Sequence, residues 1–219
     1  MSERLPHPDV ARIKATIPTE GEILLLAPQS MITRLYFRGG DHPTDWYQFR
    51  TWGPTNSRFD HHPYPPQDHP RHGIIYGAFE SNAFATAFAE TFARGNDILG
   101  PIDRSHAAPW LVAFETVAPL RLLDLRSGWV TRAGGNGAIS TGARSRSREW
   151  ARVIHRTHRD VDGVVYGSSI WPPGNCLAIW ERGARSIPST PVVTRSVADY
   201  LLDSAVASAA LMLGTITIP

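Results

Sequence analysis

The apolar runs of this chain are short, and they are mixed irregularly with helix-like segments. Runs bounded by glycine or proline predict strands at residues 21–28, 33–40, 72–79, 110–117, 120–125, 162–169 and 175–181, with a last strand in the terminal TITIP. Helical spacing occurs at residues 8–16, 82–94, 145–158 and 196–213, and a glycine-rich stretch at 134–142 predicts a flexible loop. Because these elements do not alternate in a βαβ rhythm, the order predicts an α+β fold rather than a doubly wound parallel sheet.

The size and composition of the chain limit the classes of protein it can belong to. Its 219 residues, 42% of them hydrophobic, suffice for one substantial core, so we expect a single domain over residues 1–219. The formal net charge of +2 gives no reason to expect a nucleic-acid or membrane surface. The only cysteine, Cys176, excludes an internal disulfide and is expected in the core. Without a secretory signal or a run of about 18 apolar residues, the expected location is the cytoplasm.

Residues 39–72 are rich in proline, glycine, aspartate, histidine and tryptophan, and they show little periodicity. A loop of this length is usually functional or disordered, and its aromatic side chains argue against disorder. The candidate metal ligands in it are Asp60, His61, His62, Asp68, His69 and His72. Their spacing matches no zinc or iron template, and the prolines would break any helix that aligned them. A solvated polar loop is therefore the favoured interpretation, and no metal site is predicted.

The sequence motifs of several common enzyme classes are absent. No Gly-x-Gly-x-x-Gly follows a predicted strand, and no Walker-type loop occurs. The stretch YGSSIW lacks the second glycine of the Gly-x-Ser-x-Gly turn that carries a hydrolase serine. The chain is therefore not expected to be a serine hydrolase.

A few polar side chains lie near the ends of predicted strands. Arg38 precedes two glycines, and Arg58 lies in NSRFD; two guanidinium groups would suit a diphosphate, although surface arginines are common. Tyr76 is either a core tyrosine or an aromatic face for a nucleobase or pyridine ring. Ser168 and Ser169 are either turn formers or donors to a phosphate or ribose oxygen.

The helix-like segment 82–94, NAFATAFAETFAR, carries a single carboxylate, Glu90. Helical spacing places Glu90 away from the phenylalanines of this segment. Its neighbours on the same side are Ala83, Thr86, Ala87 and Arg94. Such a side suits a solvent-facing glutamate paired with Arg94, and it equally suits a carboxylate beside a bound ligand. Periodicity does not decide between the two.

The order of four short motifs resembles the RES-domain family, which is named for an arginine, a glutamate and a serine. The motifs are LYFRGG, RFD, IIYGAFESNAFATAFAETF and DGVVYGSS, with SREWARVIHR before the last of them. Many members of the family are toxins of bacterial toxin–antitoxin pairs. The resemblance covers residues 33–182, and the order and spacing of the motifs carry it.

The resemblance implies a compact core similar to that of ADP-ribosyltransferase toxins, with a split mixed or antiparallel sheet that cradles NAD. It implies degradation of NAD, as a substrate rather than a cofactor, by hydrolysis or by phosphorolysis with inorganic phosphate. It also implies a small antitoxin partner with an Xre-type helix-turn-helix. Direct binding of nucleic acid or membrane is not expected. A homodimer is left open, because the predicted C-terminal helix could pack on the core or on a second subunit.

The resemblance also assigns roles to individual residues. It places the family arginine at Arg38, the glutamate at Glu90 and the serine at Ser168. Arg58 matches the Arg-Phe element, and Tyr76 matches the strand tyrosine. Cleavage of the nicotinamide–ribose bond passes through an oxocarbenium-like cation, which Glu90 would face. Arg38 and Arg58 would hold the diphosphate or an attacking phosphate. Tyr76 would stack near nicotinamide, and Ser168 would position ribose or phosphate oxygens.

Two features depart from the family pattern, and three other functions stay open. The serine is doubled, which makes Ser169 a rival of Ser168, and a long aromatic insert separates Arg38 from Arg58. The chain could instead transfer ADP-ribose onto a protein or nucleic acid. It could also be a binding module without catalysis, or a metal enzyme built on the histidine-rich loop.

Overall fold

The computed structural model describes residues 4–93 and 101–218, and most of its strands join in one mixed sheet. The strands in chain order are β1 (Ile23–Leu26), β2 (Met31–Phe37), β3 (Trp52–Gly53), β4 (Gln67–Asp68), β5 (Ile74–Phe79), β6 (Ile102–Asp103), β7 (Pro109–Glu115), β8 (Leu120–Asp124), β9 (Gly163–Gly167), β10 (Asn175–Trp180), β11 (Val193–Ser196) and β12 (Thr217–Ile218). The helices are α1 (Val10–Ala15), α2 (Ala83–Phe92), α3 (Trp129–Arg132), α4 (Ala138–Thr141), α5 (Arg144–Thr157) and α6 (Asp203–Met212). The α+β prediction is confirmed.

The main sheet has the order β1–β8–β9–β10–β5–β2–β7–β11, and it is split between β5 and β2. Strand β2 pairs with β7 along its whole length, but it pairs with β5 only at Ile32–Phe79 and Thr33–Ala78. Beyond Thr33 the two strands separate, while β5 stays paired with β10 over its whole length. Within this sheet β8 and β9 are parallel and the other neighbours are antiparallel. The split mixed sheet expected of an ADP-ribosyltransferase-like core is therefore present.

Helices α2 and α5 lie on the same face of the sheet, one on each side of Tyr76. Ala87 of α2 packs with Ala78 of β5, and Trp150 of α5 lies in the buried cluster that contains Ile74. Ile74, Tyr76 and Ala78 point to one face because side chains alternate along a strand. The two helices thus border a site whose floor is the middle of β5.

The phenylalanine side of α2 packs against α6, with Leu35 of β2 at the edge of the same cluster. Phe88 is fully buried, and Phe84 and Phe92 pack partly buried beside it. The cluster that holds them includes Val206 and Ala209 of α6. Burying such side chains contributes roughly 1.5–3 kcal/mol each, so α6 fixes α2 firmly against the sheet.

Two predictions about secondary structure are wrong. The second half of the predicted flexible loop 134–142 forms α4, because Ile139 inserts into the core and is 1% exposed. The predicted helix 196–213 begins only at Asp203, since the chain at Ser196 still pairs with β7 as part of β11. The other predicted strands and helices are found within a few residues of their predicted bounds. No helix in residues 4–93 and 101–218 combines the length and apolar character needed to cross a membrane.

Gly174, in the turn before β10, sets how closely α2 approaches the sheet. A Cβ atom on Gly174 would lie 2.2 Å from Oγ1 of Thr86 on α2. We expect Gly174→Ala to destabilise the fold by roughly 1–3 kcal/mol, because the turn or the helix must shift to relieve the overlap. Denaturant unfolding measures the change. Gly167→Ala is the matched control, since no atom lies within 4 Å of its added methyl, and equal stability of the two variants would contradict the prediction.

Candidate active site

Glu90 and Ser168 are joined by a hydrogen bond. The Oγ of Ser168, in the turn that follows β9, donates to Oε1 of Glu90 on α2 at 2.6 Å. The same Oγ accepts hydrogen bonds from the backbone N–H groups of Ile170 at 3.2 Å and Trp171 at 2.9 Å. Because these two N–H groups donate to the oxygen, its own O–H is directed to the carboxylate. Ser168 is only 4% exposed, so this contact fixes one carboxylate oxygen at the partly buried end of α2.

The small residues beside Glu90 bring α2 close to the sheet. Ala83, Thr86 and Ala87 are all buried, so the reading of this side as solvent-facing is wrong. The space they create is filled by β5 and the Gly174 turn rather than left for a ligand. The predicted pairing partner Arg94 lies outside the described residues.

Arg58 reaches the same site from the long loop. Its Nη1 donates to the backbone carbonyl of Gly142 at 2.9 Å and to Oγ of Ser147 at 3.0 Å. Burial lowers the pKa of this guanidinium, while the charges of Tyr166 and Glu90 act in the opposite direction. Among the described residues, all of its side-chain hydrogen bonds come from Nη1. The donors on Nη2 and Nε therefore stay available for a ligand.

Two tyrosines form the floor between Glu90 and Arg58. The hydroxyl of Tyr76 is buried, and the side chains of Arg50 and Ser57 are its hydrogen-bonding neighbours. Burial raises the pKa of Tyr76 far above its usual value, and so does the nearby charge of Asp60. Tyr166 interacts electrostatically with Glu90, Tyr76 and Arg58, and burial also raises its pKa. Tyr76 is only half-buried as a whole, so its aromatic ring rather than its hydroxyl is the part that a ligand could contact.

The role of Tyr166 was missed from the sequence, although a signal for it exists. Tyr166 lies on β9, and Ser168 is the first residue after this strand. The backbone N–H of Ser168 still donates to the carbonyl of Gly174, so the extended pairing continues and residues two apart point to the same face. Its ring also packs 4.5 Å from the ring of Phe59, next to Arg58 in the chain. Tyr166 thus connects the serine turn with the arginine segment.

In the described part of the chain, Arg38 and Ser169 make no hydrogen bond or ion pair with this group. The guanidinium of Arg38 lies 3.8 Å from the ring centroid of Trp110, and its Nη2 is 3.7 Å from Oδ1 of Asp45. Trp110 packs against a different core cluster from the one beneath Tyr76. Ser169 is half-buried, and within residues 4–93 and 101–218 its hydroxyl has no hydrogen bond. Of the doubled serines, Ser168 is the one bonded to Glu90.

The first part of the histidine-rich loop is buried, so its interpretation as a solvated polar loop is wrong. Asp60, His61 and His62 are at most 2% exposed. The Nε2 of His61 lies 3.1 Å from Oε2 of Glu181, and the Nε2 of His155 lies 2.7 Å from Oε1 of the same carboxylate. This cluster is at the far end of β10 from the Ser168 turn. The six residues of β10 separate the two, which corresponds to roughly 20 Å.

Hydrogen bonding sets the charge of this second cluster. Burial alone would raise the pKa of Glu181, but hydrogen bonds from His155 and His61 hold it well below its usual range. Burial lowers the pKa of His61 to about 3, against the opposing effect of its bond to Glu181. Glu181 is therefore a carboxylate and His61 a neutral imidazole near neutral pH.

Comparison with known proteins shows a matching family and a similar solved structure. The family model described as RES domain matches residues 33–203. A chain of the crystal structure of the M. tuberculosis MbcT-MbcA toxin-antitoxin complex is similar, with a TM-score of 0.51 and 16% identity. The match covers 85% of this chain and 90% of that chain. At this identity the likeness establishes a shared fold. No curated protein matches the sequence.

Proposed function

The chain belongs to the RES domain family, and from this premise we propose that it consumes NAD by cleaving the bond between nicotinamide and ribose. The observation that carries the proposal is the hydrogen bond from Ser168 to Glu90. It holds one carboxylate oxygen and leaves the other, Oε2, without a hydrogen bond among the described residues. A carboxylate held in this way is suited to a developing positive charge.

Cleavage of the nicotinamide–ribose bond needs few catalytic groups besides this carboxylate. When the C1′–N bond breaks, its electron pair stays on the nicotinamide nitrogen, which loses its positive charge. Nicotinamide therefore leaves as a neutral molecule and needs no general acid. The positive charge moves to C1′ and the ring oxygen of the ribose, as in glycoside cleavage. Glu90 stabilises this cation until water or inorganic phosphate bonds to C1′. Attack by water releases a proton and gives ADP-ribose, and attack by phosphate gives its 1-phosphate.

The neighbours of Glu90 bind and orient the rest of the substrate. Arg58 holds the diphosphate with the donors on Nη2 and Nε, since a guanidinium fork matches phosphate oxygens. Tyr76 offers its half-buried ring to nicotinamide. The guanidinium of Arg38 stacks on Trp110 instead of contacting the group around Glu90. A diphosphate-binding role for Arg38 therefore rests on the family resemblance.

The biological role that fits this activity is that of a toxin. The similar structure from M. tuberculosis is described as a toxin-antitoxin complex. By analogy, a separate antitoxin protein binds this chain and restrains it, and the family resemblance makes an Xre-type helix-turn-helix its expected form. In cells, we expect expression of the chain alone to lower the NAD concentration, and co-expression of the antitoxin to restore it.

Ser168→Ala tests the carboxylate-positioning contact. We expect the rate of NAD cleavage to fall by roughly 10- to 100-fold, because a hydrogen bond to a charged group is lost. The KM for NAD should change little, since the serine acts on Glu90. Steady-state kinetics measure both constants. Ser169→Ala is the control and should behave as wild type; loss of activity in this variant alone would assign the family serine to Ser169.

Identification of the products separates the proposed reactions. Purified protein is incubated with NAD in phosphate buffer and in phosphate-free buffer, and the products are analysed by mass spectrometry. ADP-ribose in both buffers indicates hydrolysis, and ADP-ribose 1-phosphate in phosphate alone indicates phosphorolysis. ADP-ribose bound to a protein or nucleic acid from a cell extract would instead assign a transferase. Intact NAD under all three conditions would contradict the proposal.

A further inference from the structure

At the opposite end of β10 from Ser168, we propose that His61, His155 and Glu181 bind a divalent transition metal ion of the zinc class. The site is separate from the proposed NAD site and does not depend on that function. One ligand comes from the long loop, one from α5 and one from the residue that follows β10. A metal there would join three segments that are far apart in the chain.

The three side chains already have the geometry of a ligand set. Both carboxylate oxygens of Glu181 face imidazole nitrogens, at 3.1 Å for His61 and 2.7 Å for His155. One ligand atom from each residue lies within 4.8 Å of the others. Zinc bonds of about 2.0–2.1 Å in a tetrahedron place ligand atoms roughly 3.3 Å apart. Small side-chain adjustments therefore convert the contacts into metal bonds.

The surroundings of the cluster also favour a metal. The backbone N–H of Gly73 donates to Oε2 of Glu181 at 3.1 Å, which orients the carboxylate as an outer-shell contact does in known sites. The side chain of His61 is fully buried. His72 lines the same cleft, and its Nδ1 is buried without a partner among the described residues. A water that completes the metal's coordination could donate to this nitrogen.

Two histidine ligands and one carboxylate leave a fourth position open, as in catalytic zinc sites. That position faces a cleft of about 390 Å³. The cationic side chains that line the cleft are Arg152, Arg156, Arg159 and Arg182. The two Nη atoms of Arg182 donate to the backbone carbonyls of His158 and His155, while its Nε lies 3.9 Å from Oε1 of Glu181 and must turn away when a metal binds this carboxylate. Arg156 and Arg159 are exposed, so solvent screens their charges. The remaining positive field favours hydroxide or another anion as the fourth ligand.

Metal binding by the full-length protein tests this site. Protein treated with a chelator and then dialysed is titrated with Zn²⁺ and, separately, with Co²⁺. We expect one Zn²⁺ per chain, a higher melting temperature with Zn²⁺, and the visible absorption of tetrahedral Co²⁺. His155→Gln should lose the stoichiometric binding while circular dichroism shows a native fold. His69→Gln is the matched control, because His69 lies in the same loop and bonds instead to the carbonyl of Pro65.

Several outcomes would overturn the inference. Wild-type protein that binds no Zn²⁺ would do so, and so would full binding by folded His155→Gln. If His155→Gln fails to fold, the Co²⁺ spectrum of the wild-type protein decides, and absence of tetrahedral bands contradicts the site. Saturable binding of inorganic phosphate without any binding of Zn²⁺ would identify the arginine-lined cleft as an anion site instead.

Discussion

Glu90→Gln is expected to lower the rate of NAD cleavage by roughly 100- to 1,000-fold, in the range seen when one group that stabilises transition-state charge is removed. Glutamine keeps the shape of the side chain and an oxygen that accepts the hydrogen bond from Ser168. The variant removes only the negative charge that faces the ribose cation. The effect should therefore be on kcat, with the KM for NAD nearly unchanged. Release of nicotinamide at several NAD concentrations gives both constants.

Glu115→Gln is the control for this prediction. Glu115 ends β7 and is exposed, so the same chemical change there should leave the kinetics and the free energy of unfolding unchanged. Wild-type kinetics for Glu90→Gln would contradict the role of the carboxylate. Equal losses in the two variants would point to a general effect of charge rather than to the site.

Arg58→Ala is expected to raise the KM for NAD by roughly 10- to 100-fold. This is the loss of affinity expected when one or two charge-assisted hydrogen bonds to a phosphate are removed. Its kcat should fall less than that of Glu90→Gln, since the reacting bond is at the nicotinamide end. The guanidinium also bonds Gly142 and Ser147, so Arg58→Lys is measured beside it. Lysine keeps the charge without the fork and should give an intermediate KM.

The control for Arg58 is Arg121→Ala. Arg121 is exposed and pairs with Asp160 through its Nε at 3.4 Å, and an exposed ion pair contributes little to stability. We expect wild-type kinetics for this variant. A KM for Arg58→Ala that stays at the wild-type value would contradict the assignment of Arg58 to the diphosphate.

The strands and helices could largely be predicted because their signals are local. The alternation in IIYGAF and the phenylalanine spacing of α2 lie within single segments, and the structure has a strand and a helix there. The strand at Val193–Ser196 was missed because its stability comes from pairing with β7. That partner lies about 80 positions earlier in the chain, beyond the reach of local periodicity.

The members of the candidate site could be named from the sequence, but their contacts could not. Ser168 is 78 positions from Glu90, and nothing local chooses between Ser168 and Ser169. The packing role of the small residues on α2 could not be predicted either, because Thr86 packs against Gly174, a residue far along the chain. Motif order thus predicts which residue types matter, and the tertiary packing decides which atoms meet.

The histidine-rich loop shows most clearly which contacts the sequence alone cannot predict. His61 is 120 positions from its partner Glu181, and His155 is 26 positions from that same residue. No fixed spacing of a metal-binding motif contains ligands from three such distant segments. The loop was therefore expected to be solvated, although its aromatic neighbours draw it into the core: Phe59 is fully buried.

Proton NMR of NAD mixed with the purified wild-type protein follows directly whether this chain breaks the nicotinamide–ribose bond. We expect the ribose anomeric signal next to nicotinamide to disappear while the signals of free nicotinamide grow in equal amount. A spectrum of NAD that stays unchanged, with and without phosphate and with a cell extract as a source of acceptors, would contradict it.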